Sequence, residues 1–284
     1  MATPAGSGER NAPNGTQSIN RAMNLLRLLA AHNESGVRLV DIARESGLRR
    51  STCHRILQCL VSEGMAVERQ PGNRYLLGPL AYELGLGAAR RYRIDKISHP
   101  LLEELAELTE DAVFFSVRSG YYLSCVDHAI GNFPIKAYTR ALGDRRPLGF
   151  GCAGVAILSL LPQDTIHEIA TENRELLAAF GIYDLDGIIE KCLQAKANGF
   201  ALNSRPTLGL KALAVPVTDA QGRPLGALSL CAISPRIEAE RLPFLTHALL
   251  ETKMKLEVQI RAHSSIETHA LFGLDDLSAL AAHG

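Results

Sequence analysis

The chain has 284 residues, 46% of them hydrophobic and 21% charged, and its 30 basic and 30 acidic side chains cancel to a formal charge of zero. That is enough for two domains at roughly 150 residues each, and it excludes a collagen-like, fibrous or wholly disordered chain. The longest stretch without a charge, Pro147 to Gln163, is interrupted by Gly149, Gly151, Gly154 and Pro162 and falls short of the roughly 18–20 apolar residues a membrane span needs.

Residues 1–15 lack the apolar core of a secretory signal and read as a disordered tail, so the chain is expected in the cytoplasm. The six cysteines, Cys53, Cys59, Cys125, Cys152, Cys192 and Cys231, are widely spaced and form no Cys-x-x-Cys pair. Free thiols in a reducing compartment follow, with neither a disulfide frame nor a structural zinc site. The zero net charge hides an asymmetry: residues 1–94 hold 13 Arg, no Lys and 7 acidic residues, a balance of +6, against −6 for residues 95–284. A basic module built from arginine alone suits phosphate and base-edge contact, since the guanidinium is planar and always charged.

In chain order, Ser18 to Ala31 places Ile19, Ala22, Met23, Leu26, Leu29 and Ala30 at helical spacing, with Ser18 as N-cap. Arg38 to Ser46 is a short second helix with Leu39, Ile42 and Ala43 on one face, stopped at Gly47. A third helix, Arg50 to Glu63, gathers Cys53, Ile56, Leu57 and Leu60 into one stripe and leaves Ser51, His54, Arg55, Gln58 and Ser62 opposite. Joined by the tight Gly47-Leu48-Arg49 turn, the two make a helix-turn-helix whose second helix offers Arg49, Arg50, Ser51, Thr52, His54 and Arg55 to a DNA major groove. Met65 to Arg69 and Arg74 to Leu77 flank the turn Gln70-Pro71-Gly72-Asn73 as a hairpin wing. Arg69, Asn73 and Arg74 at its tip are candidates for phosphate or minor-groove contact, and Tyr75 is expected to pack inward.

The run Leu39-Val40-Asp41-Ile42-Ala43-Arg44-Glu45-Ser46-Gly47-Leu48-Arg49-Arg50-Ser51-Thr52-Cys53-His54-Arg55-Ile56-Leu57, then Glu63-Gly64 and Tyr75-Leu76-Leu77-Gly78, resembles the DNA-binding domain of the IclR family of bacterial transcription regulators. Further on, Gly199-Phe200-Ala201-Leu202, Gly209 to Val217, Asp219-Ala220-Gln221-Gly222 and Ala227-Leu228-Ser229 are similar to the same family's effector-binding domain. The resemblance covers about residues 18 to 262. It implies an α+β chain: a winged helix-turn-helix domain over 16–78, a linker helix over 79–93, a GAF-like effector-binding domain over 94–263 and a C-terminal tail over 264–284. It further implies binding to a partly palindromic operator as a homodimer, often a dimer of dimers, paired through the first helix and the linker helix.

Within the larger domain the pattern predicts a helix from His99-Pro100 to Glu110 with Leu101, Leu102, Leu105 and Leu108 inward, then strands Ala112–Val117 and Tyr121–Asp127 and a third near Pro134–Thr139. A Gly-rich run, Gly149 to Gly154, opens an apolar helix over Val155–Leu161, and helices Gln163–Glu172 and Asp184–Ala197 follow. Strands Ala212–Thr218 and Leu225–Ala232 turn at Asp219–Arg223, and Ala239–His263 is the last helix. Gly151 and Cys152 at a helix start suit an anion, because amides there lack intrahelical acceptors and the dipole is positive. By resemblance the effector pocket is lined by Gly151, Cys152, Asn203, Ala212, Ser229 and Cys231, and Ser229 and Cys231 alternate along a strand and so point the same way.

Where many family members carry acidic residues this chain has Asn203-Ser204-Arg205-Pro206, in a segment one residue short. Loss of a carboxylate and gain of Arg205 point to a small organic acid, an aromatic one included, as effector. Two other readings stay open at this point. Cys152 at a helix start could serve as a nucleophile with His128 or His167 as base, or the free thiols could make a redox sensor. The sequence contains no Gly-x-Ser-x-Gly, phosphate-loop or His-Glu-x-x-His pattern, no cofactor is called for, and Cys125-Val126-Asp127-His128 reads as a strand end rather than a metal site.

Overall fold

A computed structural model describes residues 16–262 apart from 34, 93 and 183, so both tails lie outside the described residues. The chain divides into two compact units, meeting between Arg91 and Tyr92.

In the first unit α1 (Gln17–Ala31), β1 (Val37–Arg38), α2 (Leu39–Ser46), α3 (Arg50–Ser62), β2 (Ala66–Arg69) and β3 (Arg74–Leu77) precede α4 (Pro79–Tyr92). The strands form an antiparallel sheet in the order β1-β3-β2, with Arg69 opposite Arg74 across the hairpin. The core joins Leu25, Leu28 and Leu29 of α1 to Ile42, Cys53 and Leu57, and Tyr75 is buried as expected.

Three local expectations change here. The Thr16 carbonyl already accepts from the Asn20 amide at 3.0 Å, so the helix begins ahead of Ser18, which lies inside it and is not its N-cap. Ile19 and Met23 remain 62% and 43% exposed, because packing falls on the C-terminal half of α1 and adds Leu25 and Leu28 in their stead. Strand β1 is a two-residue segment, too short to give a periodic signal; it exists because β3 offers it an edge.

The second unit runs α5 (Ile94–Thr109), β4 (Ala112–Ser119), β5 (Tyr122–Ile130), β6 (Arg145–Pro147), α6 (Gly151–Leu158), α7 (Gln163–Glu172), α8 (Arg174–Ala179), α9 (Leu185–Asn198), β7 (Ala201–Arg205), β8 (Leu210–Thr218), β9 (Pro224–Ile233) and α10 (Leu242–Ala262). Its six strands form one antiparallel sheet in the order β6-β5-β4-β9-β8-β7, the GAF-like α+β arrangement. One face packs Val113, Phe115, Leu213, Val215, Leu228 and Leu230 against Leu102 and Leu105 of α5 and Leu245, Leu249 and Leu256 of α10. The other face packs part of its area against α6, with Ile166, Leu177, Ile188 and Cys192 behind. A small cluster of Ala112, Phe114, Cys125, Ala137 and Cys231 occupies the rest.

No strand forms over Pro134–Thr139: that segment is irregular, and the next strand is β6, at Arg145. Burial of Ala137 in the small cluster holds this loop against the sheet face without a ladder. Helix α5 reaches back through Pro100 to Ile94, since burial of Ile97 outweighs the missing proline amide, and Leu108 is turned outward at 57% exposure. The apolar helix begins four residues before Val155, at Gly151, and β7, which no local alternation marks, pairs Asn203 with Ala212 and Ala201 with Ala214.

Candidate functional site

Helix α2 ends because Gly47 takes the left-handed conformation, φ 67°, which turns the chain sharply into α3. The turn is pinned by Ser46, whose Oγ accepts from the Leu48 amide at 3.3 Å and lies 3.5 Å from the buried Cys53 Sγ. Cys53, Leu57 and Leu60 then face inward, and the periodicity sends Arg49, Arg50, Ser51, His54 and Arg55 to the exposed side with Thr52 at its margin. Arg38 and Arg44 of the preceding segment are paired with Asp41 at 3.1 and 3.0 Å. Arg49, Arg50 and Arg55 form no ion pair among the described residues, so their charge is offered to solvent.

The hairpin tip exposes Arg69 and Asn73. Arg74 is placed differently: its Nη1 donates to the Gly36 carbonyl at 2.8 Å and to that of Ser35 at 3.4 Å, fastening the wing to the loop ahead of β1.

In the second unit the strand register brings the predicted pocket residues together. Asn203 stands opposite Ala212, Ala212 opposite Cys231, and Ser229 lies two residues from Cys231 between Ala214 and Phe114, so all share the face that looks toward α6. Gly151, φ 71°, starts α6, and Cys152 follows it as a close electrostatic neighbour of Cys231. Arg205 has the same side of β7 as Asn203, with its guanidinium carbon 5.4 Å from the Phe150 ring centroid. Phe150 in turn lies 4.4 Å from Phe180, and the Arg146 guanidinium is near both rings.

Two further side chains in this region, Thr139 and Arg140, fall in the irregular loop after β5. Thr139 hydrogen-bonds the Cys231 thiol, and Arg140 donates from Nη1 to Ser116 Oγ at 3.3 Å, next to Cys125 and Cys152. Nothing in the local sequence marks them, because their position depends on a loop crossing strands distant in the chain.

The thiols are poorly suited to ionise. Burial pushes Cys152 up to about 12, and Cys125 and Cys231 to about 11, despite the neighbouring Arg140. His128 stacks with Phe114 and meets the Tyr138 ring edge-on, and His167 lies 3.5 Å from Thr171; neither is hydrogen-bonded to Cys152 among the described residues. No group of three potential metal ligands is assembled, and no helix is long and apolar enough to cross a membrane, among the described residues.

An exposed basic recognition helix with a hairpin wing, followed by an α+β ligand-binding domain, defines a ligand-responsive DNA-binding transcription regulator. Residues 18–70 match the IclR helix-turn-helix domain and residues 87–258 the family described as bacterial transcriptional regulator IclR C-terminal. The chain belongs to the IclR family. It is 27% identical over 244 residues to the HTH-type transcriptional regulator BhcR of Paracoccus denitrificans, covering 85% of this chain and 86% of that one. It is 25% identical over 232 residues to the transcriptional repressor IclR of Escherichia coli, covering 80% and 83%. An IclR homolog from Microbacterium hydrocarbonoxydans, complexed with 4-hydroxybenzoate, shares the fold with a TM-score of 0.67 at 17% identity, over 87% of this chain and 100% of that one. These relatives are regulators and repressors, and the chain is a transcription regulator of the same family.

Proposed function

We propose that this regulator binds a partly palindromic operator as a cytoplasmic homodimer or dimer of dimers and releases or remodels it on binding a small organic acid. The observation that carries the DNA half is the exposed trio of Arg49, the N-cap of α3, with Arg50 and Arg55 on its leading half, none in an ion pair among the described residues. In this reading Arg50, Ser51, His54 and Arg55 meet base edges, Arg49 and Thr52 flank them, and Arg69 and Asn73 of the wing meet phosphates. Arg74 contributes by holding the wing in place. Dimerisation through α1 and α4 is supported by the apolar side chains these helices leave exposed, Ile19 and Met23 on one and Tyr82, Leu84 and Leu86 on the other.

The effector half rests on Gly151 and Cys152 at the start of α6 and on Asn203, Ala212, Ser229 and Cys231, which share one face of the sheet. Its surroundings are cationic, with Arg140, Arg146 and Arg205 against Asp144, and Phe114 and Phe150 supply aromatic walls. Such a lining favours an organic anion, an aromatic acid among them, as does the 4-hydroxybenzoate held by the Microbacterium homolog. Ligand couples to DNA through unequal affinity for two arrangements of the dimer.

The test is binding of the purified protein to DNA flanking its own gene, against random duplex, at two salt concentrations. Tight, sequence-selective binding that weakens as salt rises supports the reading; no binding to any duplex at low salt overturns it.

A further inference from the structure

The sheet of the wing aligns three arginines. Arg38 of β1 and Arg69 of β2 both stand opposite Arg74 of β3. Residues paired in this way on antiparallel strands put their side chains on one face, and like charges so placed repel. Val37 and Tyr75, the next pair along, are buried, so the arginines share the outward face. The three are not equivalent. Arg69 is exposed, and the Arg38 side chain is 62% exposed and meets Asp41 at 3.1 Å. Arg74 lies partly buried between them, and its Nη1 is turned back to the carbonyls of Gly36 at 2.8 Å and Ser35 at 3.4 Å.

A second tie holds the other end of the same strand. The Leu77 amide donates to Asn33 Oδ1 at 2.9 Å, 44 residues away in sequence. Gly36 approaches β3 so closely that a Cβ there would stand 3.0 Å from the Arg74 Cβ and 3.1 Å from a Leu76 methyl, and it adopts φ 68°. Directly after Gly36 the chain forms β1 and then α2, which ends at Gly47 and leads into α3. Both ends of β3 are thus fastened to the segment that enters the helix-turn-helix.

We infer that Arg74 and Asn33 are positioning residues for operator reading. They lock the wing to the chain ahead of α2, so that Arg69 and Asn73 on the wing and Arg50 and Arg55 on α3 meet DNA at a fixed spacing. Arg74 meets no phosphate, although it occupies the centre of the basic row: its Nη1 is spent on the protein's own carbonyls, whereas Arg69 is left to solvent. This deepens the DNA-binding reading and rests on it, and it brings in Asn33, an uncharged residue with no place in a phosphate-contact account.

The test is fluorescence anisotropy of the full-length protein across a salt series, with the duplex flanking its own gene and with random duplex. The variants are Arg74→Met, Asn33→Ala and, for comparison, Arg69→Met. In Arg74→Met and Asn33→Ala, affinity for the gene-flanking duplex should fall roughly 5–30-fold, with a smaller loss on random duplex and the salt slope of wild type. Arg69→Met, which removes a phosphate contact, should reduce that slope by about 0.9.

A slope reduced by about 0.9 in Arg74→Met, with equal losses on both duplexes, makes Arg74 a phosphate contact; it overturns the assignment and leaves the DNA-binding reading standing. Affinity unchanged in both Arg74→Met and Asn33→Ala, even with a lowered melting temperature, means that the ties serve folding alone and also overturns it. Should Arg74→Met fail to fold, Asn33→Ala, a change at an exposed residue, decides by its affinity and its ratio between the two duplexes. Wild type that binds neither duplex at low salt overturns the DNA-binding reading and this assignment together.

Discussion

Arg236 donates from Nε to Asp111 Oδ1 at 2.7 Å, and Arg241 takes the other oxygen of the same carboxylate at 2.8 Å. Asp111 immediately precedes β4 and Arg236 follows β9, so the clamp ties together the two central strands on which Phe114, Ser229 and Cys231 stand. The Asp111 side chain is 2% exposed. Asp111→Asn should therefore leave two arginines without their shared charge and cost about 3–5 kcal/mol in stability, measured by urea unfolding. A cost below about 1 kcal/mol would show that the clamp is dispensable.

On α3, Arg50→Ala and Arg55→Ala remove exposed charges that support no packing. Each should weaken specific operator binding by about 1–3 kcal/mol and change folding stability by less than about 0.5 kcal/mol. Fluorescence anisotropy with operator and random duplex reads both terms. Equal loss on the two duplexes would assign the residue to phosphate rather than base contact.

Ser229→Leu places a larger side chain on the buried face between Ala214 and Phe114. Effector-induced change in operator affinity should disappear, with an overpacking cost of about 1–3 kcal/mol. Circular dichroism separates a filled pocket from a misfolded chain. An intact effector response would remove Ser229 from the pocket wall.

Thiol chemistry supplies a sharp contrast between exposed Cys59 and the buried set. Burial raises Cys125 and Cys231 to about 11 and Cys152 and Cys192 to about 12. At pH 8 only roughly one in a thousand to one in ten thousand of these groups is thiolate. Iodoacetamide on the native protein should label Cys59 first, followed by peptide mass mapping. Rapid labelling of Cys152 or Cys231 would revive a redox-sensing role.

Asp219 closes the turn between β8 and β9. Burial pushes its carboxyl up, but hydrogen bonds from the Arg223 and Gln221 amides and the Arg223 guanidinium overcome it, leaving the pKa below 3.8. A depressed folded-state pKa contributes stability that is complete above the unfolded value and is lost as pH falls through the folded one. The stability difference between wild type and Asp219→Asn should thus be constant from pH 5 upward, roughly one unit above the unfolded pKa, and shrink below 3.8. A difference that persists undiminished at pH 2, roughly two units below the unfolded pKa, would assign the effect to turn geometry alone.

Local pattern decided much of this molecule. Gly47 between two amphipathic runs, the Cys53-Ile56-Leu57-Leu60 stripe and the Pro71-Gly72 turn are short-range features, and each fixes its element through backbone φ or a 3.6-residue period. The same holds for the alternation of Ser229 and Cys231, which puts both on one face whatever strand lies beside them. Tertiary structure decided the rest. Edge strands β1 and β7 exist because a neighbour offers hydrogen bonds, Leu108 turns outward because the sheet covers only one side of α5, and Pro100 is tolerated because Ile97 is buried. Arg140 is the clearest case: a loop with no periodicity brings it to Ser116 and beside Gly151, contacts that no local pattern marks.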